Sequence, residues 1–263
     1  MNILTINRLT AAFGLFALAS TAKAQEPADT ITRQQLDQVT VVHYAIPLQV
    51  YTPDKLHGSS ILAARRAEII PVGRLNADPA ANLSRQLFSR TPGIQSWEND
   101  GSGIQTGIAA RGLSPNRSWE FNVRQNGTDI APDVFGYPEA YYTPPAEAVA
   151  TIELVRGAAS LQFGPQFGGL LNYVIRKGDS DKKISVDARH TVGSYGLFNS
   201  YTGVGGTYGK VNYYAWFHYR RADGWRENSG YATRTGYINL DYHFSERTTL
   251  GLTYTSSYYK SQQ

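Results

Sequence analysis

From residue 183 onward, apolar and polar positions alternate with a period of two. Val211, Tyr213, Ala215, Phe217 and Tyr219 would share one face of an extended strand, opposite Asn212, Tyr214, Trp216 and His218. Ile238, Leu240, Tyr242 and Phe244 oppose Asn239, Asp241 and His243, and Leu250, Leu252, Tyr254 and Tyr258 oppose Thr253, Thr255 and Ser257. Such patterning predicts β-strands with one apolar face. Residues 183–263 also hold 12 of the 18 tyrosines, so the aromatic excess belongs to this region. Gly209-Lys210 and Ser245–Arg247 read as tight turns, whereas 222–232 is long and polar. Alternating short and long connections, tyrosines near strand ends and strands of about 11 residues fit a tilted membrane-spanning β-barrel. A soluble β-sandwich is the competing architecture, since it too is built from alternating strands.

The preceding region, 45–178, has a different grammar. Asp78-Pro79 is a helix-start signal, with Leu83 and Leu87 on one face and Arg90 and Pro92-Gly93 closing the helix. Ile104–Arg111 and Trp119–Val123 read as strands, and Asn126-Gly127 between Val123 and Ile130 is a two-residue hairpin signal. Pro144-Pro145 is expected to open a short helix that ends before a strand at Ile152–Val155, and Leu170–Ile175 is a further strand. Gly157, Gly164, Gly168 and Gly169 between these two strands imply close backbone approach or positive φ. A compact domain of about 130 residues follows, ample for its own core. The polar run Lys177–Lys183 reads as a linker, with lipid-headgroup contact as the alternative. A barrel able to hold such a domain needs around 22 strands. The five or so strands visible are therefore expected to be the opening part of a larger protein.

The N-terminus reads as an export signal over residues 1–24: Arg8, the apolar run Leu9–Ala19, then Ala22-Lys23-Ala24 as a small-x-small cleavage pattern. That run is too short to span a membrane as a helix. The net charge of +4 falls to +2 once Arg8 and Lys23 leave with the signal, too weak to point to nucleic acid. Cysteine is absent, which excludes disulfide staples and thiol chemistry. Residues 25–44 read as a polar, flexible segment. Within it Leu36, Asp37, Gln38, Val39, Thr40, Val41 and Val42 form a β-prone run that is either a first strand or a peptide awaiting capture by strand addition.

At this point the motifs resemble a known family. Val155-Arg156-Gly157, then Phe163-Gly164-Pro165-Gln166 and Gly168–Val174, resemble the closing signature of the plug of TonB-dependent outer-membrane receptors. Arg111-Gly112-Leu113 with Asn126-Gly127 and Ile130 resembles the family's central plug hairpin, and Leu83 through Thr91-Pro92-Gly93-Ile94 its early helix and strand. The Arg-Gly-Leu-Ser-Pro-Asn and Phe-Gly-Pro-Gln versions are most similar to the ferric dicitrate receptor branch. The resemblance implies a mixed α+β plug domain (45–178) followed by the first antiparallel strands of a transmembrane β-barrel (179–263), in the outer membrane of a Gram-negative bacterium. It implies import of a ferric chelate, ferric citrate or another siderophore, driven by TonB pairing with Leu36–Val42, the TonB box. Partners are then TonB, outer-membrane lipid and a small chelate, with no nucleic acid, no resident cofactor and no chemistry on the cargo. Cobalamin or glycan import, or a passive porin or adhesin barrel, are the alternatives. No domain fits ahead of the box in residues 25–35, which disfavours direct transcriptional signalling.

An anionic chelate calls for arginine. Arg117, beside Asn116 and Trp119 in the loop 114–119, is the leading candidate, with Gln105 and Tyr137 in other loops expected at the outer end. Arg111, Glu153 and Arg156 lie in or beside strands and are expected to form buried ion pairs or gating contacts between plug and barrel. Enzyme readings fail. His43, His57, His190, His218 and His243 are scattered, Ser257 and Lys260 would face opposite sides of a strand, and 164–169 lacks the end of a phosphate loop.

Overall fold

The computed structural model describes residues 50–52, 56–57, 60–61, 67–98, 101–131, 141–156, 162–164 and 166–262. The export signal, Leu36–Val42 and Tyr137 lie outside the described residues. The strands, in chain order, are β1 (Leu56–His57), β2 (Ser60–Ile61), β3 (Ala67–Pro71), β4 (Ile94–Ser96), β5 (Ile108–Ala110), β6 (Phe121–Gln125), β7 (Thr128–Asp129), β8 (Val149–Val155), β9 (Gly169–Ile175), β10 (Ser185–Val192), β11 (Phe198–Tyr208), β12 (Val211–Ala222), β13 (Tyr231–Ser245) and β14 (Thr248–Ser261).

The first body is a mixed sheet of order β3-β8-β9-β6-β7, with β6 parallel to β9 and the other pairs antiparallel. Its centre is apolar: Ile70, Phe121, Val123, Ile152, Leu154 and Leu171 are all buried. Asn126 (φ 49°) and Gly127 (φ 81°) close β6 onto β7 with both turn residues left-handed, the geometry that matches strand twist. Gly169 has φ +124°, and a Cβ there would sit 2.3 Å from the Val155 carbonyl oxygen. Glycine is what lets β9 begin tight against β8.

Two helices predicted from local sequence shrink. The first is confined to Ser84–Leu87. The Asp78 carboxylate accepts from Ala80 N (3.0 Å), and Asn82 sits at φ 48° with its amide donating to the Gly103 carbonyl (2.9 Å). A left-handed residue at that point interrupts the helix, and the tertiary bond holds it there. After Pro144-Pro145 there is only a turn, Ala148 N to Pro145 O (2.9 Å), because the chain enters β8 already at Val149. The expected strands 104–111 and 119–123 are likewise shorter or shifted, to β5 and β6. Residues 101–107 leave strand geometry to form a loop.

The second body is an open antiparallel sheet, β10-β11-β12-β13-β14 in sequence order. Its two faces are inverted relative to a soluble sandwich. Along β12, Asn212, Tyr214, Trp216, His218 and Arg220 are buried against the first body, while Phe217 is 56% exposed. Along β13, Thr233, Thr235, Asn239 and Asp241 are buried, whereas Ile238, Leu240, Tyr242 and Phe244 are exposed. Polar inside and apolar outside is the pattern of a wall whose outer face meets hydrocarbon. Tight turns (209–210, 246–247) lie at one end and longer connections (193–197, 223–230) at the other.

The run 177–183 packs along the inner face of this sheet. Asn212 Nδ2 donates to the Gly178 carbonyl (2.8 Å), Thr207 N donates to the Lys182 carbonyl (2.8 Å), and Lys177 pairs with Asp241 at 3.0 Å. Gly205 leaves the space it occupies, since a Cβ there would lie 3.1 Å from Gly178 Cα.

Candidate functional site

At the end of the molecule carrying the longer connections, a cavity of about 510 Å³ opens between the two bodies. One wall is the loop 101–105, the second is the turn at Asn116-Arg117, and the third is the loop 226–229 with Tyr259 of β14.

The turn is built with strain. Arg117 and Ser118 lie consecutively at φ 50° and 51°, each costing about 1–2 kcal/mol for a residue with a Cβ. Contacts inside the first body hold it. The Ser118 hydroxyl, fully buried, donates to the Thr106 carbonyl (2.6 Å) and accepts from Ile108 N (3.0 Å). Held this way, Arg117 lies 5.3 Å over the ring of Tyr141 and donates to its hydroxyl at 3.3 Å. Backbone strain concentrates where a side chain must be aimed.

The 101–105 loop is held from the opposite body. Arg220, on the inner face of β12 and 4% exposed, donates through Nη1 to the Ser102 carbonyl (2.7 Å) and through Nη2 to the Gly101 carbonyl (3.0 Å). Gly103 is left-handed, and a Cβ there would meet Arg220 Nη1 at 2.8 Å. The third wall is pinned by Asp223 N donating to the Tyr195 carbonyl (2.8 Å) and by the Ser229 hydroxyl donating to the Arg226 carbonyl (2.6 Å). Arg226 itself lies 5.5 Å over Trp225.

Below the cavity the two bodies meet through polar contacts. Glu147, 1% exposed, accepts from the Asn199 amide of β11 (3.0 Å), and the Asn199 carbonyl oxygen faces His218 Nε2. Burial raises the Glu147 carboxyl above its ordinary range, opposed by its hydrogen bonds and by the nearby Arg220 and Arg189 charges. Gln125 donates to Thr255 (3.0 Å) and Asn126 to the Tyr237 hydroxyl (2.8 Å). Burial also pushes the Tyr173 hydroxyl upward, and that group bonds Thr106 at 2.6 Å.

Of the residues singled out from sequence, Gln105, Asn116 and Arg117 line the cavity together. Trp119 is exposed and is not among its lining residues. The expected ion pairs take another form. Arg156 pairs with Glu68 of β3 and donates to the Pro92 carbonyl (2.9 Å), all within the first body. Glu153 accepts from Asn172 at 2.8 Å, also within it. Arg111 is exposed at φ 59° and, among the described residues, donates to the Phe167 carbonyl at 3.5 Å. It emerges from β5 on a left-handed turn, which carries its side chain away from the packed face. Sequence reasoning missed Arg220, Arg226 and Tyr259. An arginine at an inward position of a strand was the available signal for Arg220, and a Trp-Arg pair in a long polar loop for Arg226. Among the described residues, no group of three His, Asp or Glu side chains is placed to hold a metal ion.

Residues 63–170 match the family described as the TonB-dependent Receptor Plug Domain. The fold is similar to the unliganded ferric citrate transporter FecA at 22% identity and a TM-score of 0.62, over 76% of this chain and 32% of that one. It is similar to the copper transporter OprC at 16% identity and 0.58, over 74% and 31%. The pyoverdine outer membrane receptor FpvA of Pseudomonas aeruginosa follows at 19% and 0.56, over 72% and 27%. The chain thus spans about a third or less of the length of these receptors and transporters. Residues 63–170 therefore belong to the TonB-dependent receptor plug domain, and the chain as a whole shares the fold of these larger receptors and transporters.

Proposed function

We propose that the protein imports an anionic ferric chelate, of the ferric citrate class or another siderophore, across the outer membrane with energy passed from TonB. The observation that carries this reading is the cavity lined by Arg117 and Arg226 against a single carboxylate, Glu227, with Gln105, Asn116, Asn228 and Ser229 around them. Two guanidinium groups outnumber the one carboxylate and, with the amide and hydroxyl donors beside them, suit a ligand with several carboxylate oxygens. The likeness to a ferric citrate transporter and a pyoverdine receptor supports the same cargo class. Leu36–Val42 is the segment proposed to pair with TonB by strand addition, after export by the signal at residues 1–24. No cofactor is called for, because the cargo is moved rather than altered.

The test uses the full-length receptor. Titration with ferric citrate should give saturable binding that weakens about 10- to 100-fold in Arg117→Gln or Arg226→Gln, the loss of one charge-assisted contact. Cells should lose uptake of labelled ferric citrate when residues 36–42 are deleted. Uptake that survives the deletion would favour a passive barrel. Normal growth on every ferric chelate in cells lacking the gene, with lost growth on cobalamin or a glycan, would overturn the iron reading.

A further inference from the structure

Among the outward-facing strand residues of the β10–β14 sheet, charge is confined to one place; Lys183, ahead of β10, lies over Tyr208 at the other end. The sheet's outward positions are the even-numbered residues of β10, β11, β13 and β14 and the odd-numbered residues of β12, and none of them is Asp or Glu. The ladder register sets them in rows. In the row nearest the long connections Phe198 pairs with Arg221, Arg221 with Ala232, and Ala232 with Lys260. In the next row His190 pairs with Ser200, Ser200 with Tyr219, Tyr219 with Arg234, and Arg234 with Tyr258. Arg221, Arg234 and Lys260 therefore sit on three adjacent strands within two rows, all exposed. Arg234 lies 5.7 Å over the Tyr219 ring, and among the described residues none of the three is paired with a carboxylate. The first acid beyond them, Asp223, lies in the loop against Gly196.

Directly below these rows is a groove of about 430 Å³ in the same outward face. Thr202, Ala215, Gly236 and Ser256 leave it open between Phe217, Ile238 and Tyr254. Its lining is apolar. A cation cluster stacked on an apolar slot has the profile of an acidic headgroup above an acyl chain.

We propose that Arg221, Arg234 and Lys260 with the groove beneath them bind a phosphorylated, multiply acylated lipid of the outer leaflet, its phosphate on the cations and one acyl chain along Gly236. The three cations meet headgroup phosphate at the edge of the apolar band, where each adds about 1 kcal/mol near an anionic surface, equivalent to about fivefold in affinity. The acyl chain fills a dent that a uniformly large-residue strand face would lack. This rests on the reading that the outer face meets membrane lipid, and not on the identity of the cargo.

The experiment titrates the full-length, detergent-solubilised receptor with a diphosphorylated, multiply acylated glycolipid, its dephosphorylated form and inorganic phosphate, read by native mass spectrometry. The native receptor should retain one phosphorylated lipid. The triple variant Arg221→Gln, Arg234→Gln, Lys260→Gln should bind it about a hundredfold more weakly, as weakly as the native receptor binds the dephosphorylated form. Gly236→Leu leaves the cations intact and meets no atom closer than 3.8 Å at its Cβ, so it folds and fills the groove; it should weaken lipid binding about tenfold. Equal binding by the native and triple-variant receptors, or of the two lipid forms, would overturn the proposal, as would full competition by inorganic phosphate. Ferric citrate binding measured on the same samples separates the two readings. Lipid loss with chelate binding unchanged supports this site, whereas absent chelate binding with lipid retained sinks only the cargo.

Discussion

Arg220 is the residue whose removal reports most directly on how the β10–β14 sheet holds the 101–105 loop. Arg220→Met keeps the length of the apolar stem and deletes two hydrogen bonds from a charged donor, at 2.7 Å to Ser102 O and 3.0 Å to Gly101 O. Bonds of this kind contribute about 1.5–3 kcal/mol each, so the gross loss is about 3–6 kcal/mol. Part of this returns, because a buried guanidinium no longer has to be desolvated and the freed carbonyls border a cavity that admits water. A net loss of about 2–3 kcal/mol is expected, and it is local. In hydrogen exchange on the full-length protein, amides of 101–107 should open about 30- to 150-fold more readily, while those of β8, which Arg220 does not contact, keep native protection. Gly103→Ala, which drives a Cβ to 2.8 Å from Arg220 Nη1 and 2.9 Å from the Asn82 carbonyl oxygen, should loosen the same peptide. Exchange of 101–107 within twofold of native in Arg220→Met would refute the idea that the wall positions this loop.

Three further outcomes follow from the buried polar groups and the tight glycines. Because burial raises the Glu147 pKa in the folded protein, the folded state binds the extra proton. Stability from this group is therefore fully present below the ordinary carboxyl range and lost as pH rises through the shifted value. Glu147→Gln, which still accepts from Asn199, should flatten the dependence of melting temperature on pH above about 4.5; an unchanged slope would count against it. Arg156→Met leaves Glu68 partly buried without its partner and should destabilise the plug by about 2–4 kcal/mol, read as a shift in denaturant midpoint and reversed in part by Glu68→Gln in the same chain. Gly169→Ala forces a Cβ to 2.3 Å from the Val155 carbonyl oxygen at φ +124°, so it should destabilise the plug by roughly 3–5 kcal/mol and expose the β8–β9 ladder to limited proteolysis.

What could be read from the chain and what could not divides along the distance over which a signal acts. The alternation Phe217-His218 or Ile238-Asn239 is a property of neighbours, so the strands of the β10–β14 sheet, the tight turn at 209–210 and the type of the Asn126-Gly127 hairpin were legible, as was the polar character of the 114–119 loop that holds Asn116 and Arg117. The helix after Asp78-Pro79 was overread because its local start signal is genuine, yet Asn82 is bound to Gly103, 21 residues away. The same holds after Pro144-Pro145, where pairing with β9 draws residues from Val149 into a strand. Arg111 was assigned a buried role from its position beside a strand, and only the left-handed turn at that residue shows that it faces outward.

The sequence by itself therefore determined the alternation of the wall strands and the tight turns between them, because each depends on residues two to four apart. Tertiary structure alone decided that Arg220 grips a loop 118 residues earlier, that Glu68 and not a barrel residue answers Arg156, and that Arg226 and Tyr259 complete the cavity begun by Arg117. Those pairings join groups whose separation along the chain carries no periodic signal, and they exist only once distant segments are packed together and each buried donor must find an acceptor.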